Sequence, residues 1–223
     1  AFAQALSRKM VTIASTREGE DELFIDAIQK QIRRAQSQGV SLEEQVLFCL
    51  VPRHPQRFED VAKKLESAGL SYMRRSEFVQ TGETGAVNAR IITQGRQLVL
   101  LGDSLGEMPR YYAASHVAII AGSFLPFGGQ NLIEACATGV PVLVGPHTEN
   151  FSQAVFDAIQ EGAALRVPTA DAAIQQALTL LDEPQRLARM TQAGTQWVSK
   201  HTGAVARVLT GLNELKAERK RPS

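Results

Sequence analysis

Short apolar runs that alternate with amphipathic segments constrain the fold of this chain more than any other feature. Few polar residues interrupt these runs, which is typical of strands buried on both faces of a parallel sheet. The predicted strands are Met10–Ser15, Gln45–Val51, Leu70–Arg74, Leu98–Leu101, Val117–Ala121, Val140–Val144 and Ala163–Val167. Because helical segments connect them, we predict a doubly wound, Rossmann-like α/β domain.

The connecting segments show helical periodicity and, in two cases, a glycine stop. The predicted helices are Glu18–Gln38, Phe58–Ala68, Glu107–Ala114, Asn131–Thr138, Phe151–Gln160 and a helical region from about Thr169 onward with a break near Gly203. The segment Ser76–Arg96 predicts a surface loop, with Gln94–Gly95 as a candidate hairpin turn.

Composition narrows the class of protein. The chain has 223 residues, 44% of them hydrophobic, and a formal net charge of +1. We therefore predict one large domain over residues 1–223 and exclude a general nucleic-acid binder, which would carry a basic face. No apolar run is long enough to cross a bilayer. Cys49 and Cys136 lie in apolar segments and are predicted to be buried and unpaired.

Polar and glycine residues follow several of the predicted strands directly. In a doubly wound domain, ligands bind at the carboxyl ends of the strands, so these residues are expected to meet at one edge. They are Ser15-Thr16, Pro52-Arg53-His54, Gly102-Asp103, Gly122-Ser123 and Gly145-Pro146-His147.

The stretch from Gly122 to Asn150 carries the strongest functional pattern. A glycine pair, Gly128-Gly129, opens a predicted helix, and such a turn lets a phosphate approach free backbone N–H groups. Asn131 either caps the helix or reaches the ligand, and Glu134 is placed to accept hydrogen bonds from a ribose diol. The alternative is a capped helix with a surface carboxylate.

Three further segments carry weaker patterns. Arg53 offers a planar group for a phosphate, a carboxylate or a stacked base, unless it pairs with Glu59 or Asp60. The loop from Gly102 to Met108 offers backbone groups to a base edge, with Glu107 alternatively serving the helix dipole. The segment Ser15–Glu20 fits either an anion site that includes Arg17 or a helix cap with acidic first-turn residues.

The two histidines near predicted strands differ in their expected roles. His147 follows a strand end and is placed to face the cleft, whereas His116 is expected to be structural. No Cys/His spacing resembles a zinc site, and no Walker-type or G-x-S-x-G motif is present.

Four motifs in order, STREGED, VPRHPQRF, GDSLGEM and GSFLPFGGQNLIEACATGVPVLVGPHTENF, resemble the C-terminal half of bacterial 3-deoxy-D-manno-octulosonic acid (Kdo) transferases. These are GT-B glycosyltransferases of lipopolysaccharide synthesis, and the resemblance is dense from Met10 to Val167. It implies inverting transfer of Kdo from CMP-Kdo to lipid A precursor, lipid IV(A), without a metal or cofactor. The residues that it implies for CMP are Pro52, Arg53, Gly106, Glu107, Met108, Gly129, Asn131, Leu132, Ile133 and Glu134.

The chain also departs from the family pattern. Arg17 and Gln130 stand where histidine is common, and Ser76–Arg96 is longer than usual. The N-terminal acceptor domain, with its membrane-associating segment and acidic general base, is expected to lie outside residues 1–223. Glu18, Glu20 and Asp21 are expected to be structural rather than substitutes for that base.

The resemblance thus implies a soluble donor-binding domain that is inactive alone. It also implies a whole enzyme that associates peripherally with the cytoplasmic face of the inner membrane. Two alternatives remain open: another GT-B enzyme that uses a UDP- or ADP-sugar, and a non-catalytic nucleotide-binding module.

Overall fold

The computed structural model describes residues 8–78 and 97–200. The predicted strands and helices in these ranges are confirmed, with bounds that differ by a few residues. The strands are β1 (Lys9–Thr16), β2 (Val46–Pro52), β3 (Tyr72–Arg74), β4 (Val99–Leu101), β5 (Val117–Ile120), β6 (Val142–Val144) and β7 (Ala164–Arg166). The candidate hairpin at Gln94–Gly95 and the break near Gly203 lie outside the described residues.

Helices connect these strands. They are α1 (Glu20–Ser37), α2 (Leu42–Gln45), α3 (Phe58–Ser67), α4 (Met108–Ala114), α5 (Ile133–Ala137), α6 (Ser152–Gln160) and α7 (Ala170–Leu181). Residues 184–200 form a further helix. The four-residue α2 was not predicted, because so short a helix leaves no periodic pattern. No helix in the described ranges is long and apolar enough to cross a membrane.

All strand pairs of the sheet are parallel, in the order β3-β4-β2-β1-β5-β6-β7. The chain moves from β1 to β2 on one side and later returns across β1 to add β5 on the other. The strand order therefore reverses between β1 and β5, and a crevice opens at the carboxyl ends of strands at such a point. This topology confirms the predicted doubly wound fold.

The core explains why the strands lack polar alternation. The apolar side chains of β1 and β2 are almost completely buried on both faces of the sheet. Phe24 and Ile28 of α1 pack on the face formed by Val11, Ile13 and Phe48. Burial of each such side chain contributes about 1.5–3 kcal/mol. Cys49 and Cys136 are buried and unpaired, as predicted.

One core contact reaches the predicted ligand edge directly. The Phe24 ring meets the Phe124 ring edge-on, with centroids 5.0 Å apart. Phe124 belongs to the loop that follows β5, so the core fixes this loop against α1. Aromatic pairs in this geometry are worth about 0.5–1.5 kcal/mol beyond their buried area.

Candidate functional site

The crevice between β1 and β5 brings the predicted strand-end residues to one edge of the sheet. Pro52 lies opposite Thr16 in the register of β1 and β2, and the Arg53 N–H donates to the Thr16 carbonyl at 3.0 Å. Across β1, the Ala121 N–H donates to the Ala14 carbonyl at 2.9 Å. The prediction that these segments meet is therefore confirmed.

The glycine-rich turn after β5 needs its glycines. Gly122, Gly128 and Gly129 all have positive φ, and the Gly129 N–H closes the turn on the Gly122 carbonyl at 2.7 Å. A Cβ at Gly129 would lie 3.2 Å from the Thr148 Cα, and one at Gly128 would lie 2.3 Å from the Asn150 side chain. The turn is therefore packed closely against the loop that follows β6.

A buried carboxylate holds this turn to the first helix. Glu20, in the first turn of α1, is 0% exposed. Its Oε2 accepts hydrogen bonds from the backbone N–H groups of Arg17 (2.9 Å) and Gly122 (2.6 Å), and its Oε1 accepts one from Phe124 (2.9 Å). The structural role expected for Glu20 is confirmed. Its partners were not foreseen, because a first-turn acid looks the same in sequence whether it serves the helix or a distant loop.

The loop after β6 braces the same turn from the other side. The Ser123 hydroxyl donates to the Ile120 carbonyl and accepts from the Gly145 N–H at 2.8 Å. Arg166, at the end of β7, donates to the Pro146 carbonyl at 2.8 Å and to the Thr148 hydroxyl at 2.9 Å. Sequence reasoning did not single out Arg166, since its position at a strand end was its only signal.

The residues from Asn131 to Glu134 follow the turn and begin α5. The Asn131 Oδ1 accepts from the Ile133 N–H at 2.9 Å, so Asn131 stabilises the start of the helix, and α5 begins at Ile133 instead of Asn131. Leu132 is fully buried, which leaves only its backbone for a ligand. Ile133 is 41% exposed, and Glu134 is exposed with a 3.4 Å contact from the Asn131 amide.

Arg53 is exposed at the end of β2. The alternative pairing with Glu59 or Asp60 is wrong, because Glu59 pairs with Arg74 and Asp60 pairs with Lys64. Arg53 forms no ion pair with any residue in the described ranges.

The charges of Arg53 and Glu134 both act on the pKa of the buried Tyr112 phenol. Burial raises the pKa of Tyr112, the charge of Glu134 raises this pKa further, and the charge of Arg53 lowers it. Both charged groups therefore lie close enough to the phenol to influence it. Arg53 follows β2 and Glu134 lies in the first turn of α5, so both stand at the carboxyl edge of the sheet.

The loop from Gly102 to Met108 is held largely by its own acidic residues. Asp103 accepts from the Arg74 Nε at 2.8 Å and from the Ser76 N–H at 2.8 Å. Burial acts to raise the pKa of Asp103, but the hydrogen bonds from Ser76 and Arg74 outweigh it and hold this pKa below its usual range.

The Glu107 carboxylate is likewise fully engaged by neighbouring side chains. Its carboxylate accepts from Ser104 at 2.5 Å and from Arg75 and Arg110, each at 2.8 Å. These partners outweigh the effect of burial and lower the pKa of Glu107. Gly106 has a φ of +73° with open space around it, and Met108 packs between two core clusters. The Glu107 carbonyl accepts from the N–H groups of Arg110 and Tyr111 at 2.9 and 3.1 Å, so it is engaged as well. This arrangement leaves the Gly106 backbone and the N–H groups of Glu107 and Met108 for recognition of a ligand.

The structural role predicted for one of the two histidines near strands, His116, can be checked directly. His116 accepts from the Met10 N–H through Nδ1 at 3.1 Å, and burial lowers its pKa, so its structural role is confirmed. His147 is half-exposed beside Glu149. Among the described residues, no group of three or more His, Cys, Asp or Glu side chains is arranged to hold a metal ion.

A depression of about 780 Å³ lies at the opposite, amino edge of the sheet, between α1, α2 and α7. Its lining residues, among them Gln31 and Arg34, include none of the predicted site residues. The predicted strand-end residues meet instead at the carboxyl edge, which is the candidate site.

Comparison with known proteins gives sequence relatives but no matching family model. The chain is 50% identical over 215 residues to a 3-deoxy-D-manno-octulosonic acid transferase of Bordetella pertussis, covering 96% of this chain and 46% of the relative. It is 32% identical to the enzyme of the same name in Haemophilus influenzae, covering 88% of this chain and 42% of the relative. The chain thus spans less than half the length of these curated relatives.

Solved structures give a consistent result. The C-terminal CMP-Kdo binding domain of WaaA from Acinetobacter baumannii matches with a TM-score of 0.72 and 28% identity, covering 87% of this chain and 91% of that one. The C-terminal domain of a group 1 glycosyl transferase from Francisella tularensis shares the fold alone, with a TM-score of 0.55 and 13% identity. The chain therefore belongs to the 3-deoxy-D-manno-octulosonic acid transferase family and folds as the C-terminal domain of a GT-B glycosyltransferase.

Proposed function

We propose that residues 1–223 form the donor-binding domain of an enzyme that transfers Kdo from CMP-Kdo to lipid A precursor, lipid IV(A). The identity of 50% to a transferase of that name over nearly the whole chain supports this function. The likeness to a domain described as binding CMP-Kdo supports the choice of donor.

The observation that carries the proposal is that Arg53, which follows β2, and Glu134, at the start of α5, both stand at the carboxyl edge of the sheet beside a turn fixed by Glu20. Arg53 has no ion pair in the described ranges, so its guanidinium is available to the CMP phosphate. Glu134 is exposed, so its carboxylate is available to the ribose hydroxyls. A cation and a carboxylate at one edge match the two polar parts of a nucleoside monophosphate.

The remaining proposed contacts are mainly to the backbone. Gly106 offers its backbone to the base, and Glu107 and Met108 offer their N–H groups, because the Glu107 side chain and carbonyl are already engaged. Gly129 shapes the turn beside the donor, because its N–H closes on the Gly122 carbonyl and the loop after β6 fills the place of a Cβ. Leu132, being buried, contributes its backbone. Pro52 fixes the strand end from which Arg53 extends.

The proposed mechanism is an inverting displacement of CMP from the anomeric carbon by an acceptor hydroxyl. Negative charge grows on the phosphate as CMP leaves, and Arg53 stabilises it electrostatically. The acceptor hydroxyl must lose its proton to a general base. We place that base, the acceptor site and peripheral association with the cytoplasmic face of the inner membrane outside this domain, in the remainder of the enzyme.

Calorimetric titration of the chain with CMP, UDP and ADP tests the proposal. We expect CMP to bind most tightly. Arg53→Ala and Glu134→Gln should each weaken CMP binding by about tenfold or more, the value of one charge-assisted hydrogen bond. Arg33→Ala on α1 and Glu44→Gln on α2 are matched controls, because both residues are exposed and lie away from the carboxyl edge.

Three results would contradict the proposal in different ways. Tighter binding of UDP or ADP would favour a GT-B enzyme that uses another nucleotide sugar. Binding of none of the three would favour a non-catalytic module. Detectable Kdo transfer by this chain alone, from CMP-Kdo to lipid IV(A), would show that the general base lies within it.

A further inference from the structure

Arg17 is a second cation at the crevice with no role in the contacts proposed above. It follows β1 directly, beside the point where the strand order reverses. Its guanidinium carbon lies 4.8 Å from the centroid of the Phe127 ring, which belongs to the turn after β5. A cation over an aromatic face is attracted to it, so Phe127 restrains the direction of the Arg17 side chain.

The charge of Arg17 is not neutralised by the buried acids nearby. The Glu20 carboxylate accepts hydrogen bonds from the backbone N–H of Arg17 and from two other backbone N–H groups. The Asp21 carboxylate pairs with Arg57 and accepts a hydrogen bond from the Thr16 hydroxyl. Arg17 forms no ion pair with any residue that the structure describes. Because the Glu20 carboxylate already occupies the start of α1, an anion at this place would have to bind the side chain of Arg17.

Ser15, two residues earlier, is an independent sign of a site. It is 8% exposed, and its hydroxyl makes no hydrogen bond to a residue in the described ranges. Its φ of +62° is strained for a residue with a side chain, and the register of β1 on β2 shifts between Ala14 and Thr16. Residues held in such strained backbone conformations cluster at ligand-binding sites.

We propose that Arg17 binds the carboxylate of the donor's acidic sugar, with the Ser15 hydroxyl as a second donor. This inference rests on the proposed function, since a CMP-linked sugar acid carries two anionic groups, a phosphate and a carboxylate. Arg53 and Arg17 follow neighbouring strands, which lie about 4.8 Å apart in a sheet. Each anionic group therefore has its own guanidinium. The planar fork of arginine matches a carboxylate with two parallel hydrogen bonds.

The test is to compare two ligands that differ in the sugar acid. The affinities of wild-type chain, Arg17→Ala and Arg17→Lys for CMP and for CMP-Kdo are measured by calorimetry. For Arg17→Ala we expect CMP-Kdo to bind about tenfold more weakly or worse, and CMP to bind within about twofold of wild type. Lysine should restore only part of the loss, because it lacks the fork and the stacking on Phe127.

Further variants keep the test decisive. Phe127→Leu retains the charge of Arg17 but removes the stacking, and Ser15→Ala removes the second donor. Each variant should weaken the binding of CMP-Kdo by a smaller factor than Arg17→Ala and leave the affinity for CMP unchanged. Arg33→Ala should change neither affinity. Unchanged CMP binding also reports that each variant is folded.

The alternative outcomes separate this inference from the proposed function. Equal losses for CMP and CMP-Kdo in Arg17→Ala would place Arg17 on the phosphate and overturn the inference alone. No loss for either ligand would also overturn it alone. A wild-type chain that binds neither ligand would overturn the proposed function, and the inference with it.

Discussion

Replacement of Glu20 by glutamine tests whether a single buried carboxylate holds the candidate site together. The two oxygens of Glu20 accept three backbone N–H groups, from Arg17, Gly122 and Phe124, at 2.6 to 2.9 Å. These donors lie on both sides of the crevice. Glutamine has nearly the same shape, so the substitution changes the charge and one acceptor with little change in volume.

The expected loss of stability in Glu20→Gln follows from the three hydrogen bonds that the carboxylate accepts. If the glutamine oxygen faces Arg17 and Gly122, its amide NH₂ faces the Phe124 N–H, and two donors oppose each other. Two bonds to a charged acceptor become neutral, each losing about 1 kcal/mol, and one buried N–H loses its partner, at about 1–3 kcal/mol. A neutral side chain is easier to bury, which offsets part of this loss. We expect the free energy of unfolding to fall by about 2–4 kcal/mol.

Denaturant unfolding of the chain measures this change, and Glu18→Gln is the matched control. Glu18 is exposed two residues earlier, so its substitution should change the stability by less than about 0.5 kcal/mol. In a thermal scan, Glu20→Gln should lower Tm by roughly 5–15 °C. CMP should also bind more weakly, because Gly122 and the turn that it begins lose their anchor.

One result would refute this reasoning. If the free energies of unfolding of Glu20→Gln and Glu18→Gln agree within about 0.5 kcal/mol, the three hydrogen bonds of Glu20 contribute no more to stability than an exposed carboxylate does. The turn would then be held by its glycines and by the loop after β6 alone.

Three further substitutions give separate predictions. Gly129→Ala should lower the free energy of unfolding by about 1–3 kcal/mol relative to wild type. This loss should exceed that of Gly39→Ala, because both glycines have positive φ but only a Cβ at Gly129 would meet backbone atoms. Equal losses in denaturant unfolding would refute the close contact. Ser15→Gly should leave stability unchanged or raise it by up to about 1 kcal/mol, since it relieves a positive φ while adding freedom to the unfolded chain; a Tm well below that of Ser15→Ala would argue against strain. Asp103, whose pKa is lowered in the folded chain, stabilises the fold above the unfolded pKa of about 4, and this contribution is lost as the pH falls through the folded pKa. The stability gap between wild type and Asp103→Asn should therefore narrow below about pH 4, and a gap independent of pH would contradict the assignment.

Much of the fold could be predicted because the sheet depends on a local signal. Val117–Ile120, for example, is apolar and buried at each position, which is typical of a central strand of a parallel sheet. The position of Arg53 and Gly122 at one edge followed from the parallel topology. The glycine pair also indicated the tight turn correctly, since Gly128 and Gly129 both have positive φ.

The remainder depended on contacts between residues far apart in the sequence. The Gly122 N–H bonds to Glu20, 102 residues earlier, and nothing local to either residue indicates the other. The same holds for Arg74 and Asp103, whose pairing joins the end of β3 to the loop after β4. Sequence position placed these groups at the edge of the sheet but could not tell a ligand-binding group from one that holds a loop.

The hydrogen bonds of the structure make that distinction, and it bears on the mechanism. A general base needs an oxygen that can reach the acceptor hydroxyl. Glu20 and Asp21 are both 0% exposed, and each of their oxygens already accepts a hydrogen bond. Deprotonation of an acceptor by either would first require one of these bonds to break and the loop that it holds to open. The groups that stay free to bind are Arg53, Arg17 and Glu134, and the first two are cations. Under the proposed function, these cations suit a departing phosphate and a carboxylate, so we expect this crevice to stabilise the leaving group and not to supply the base.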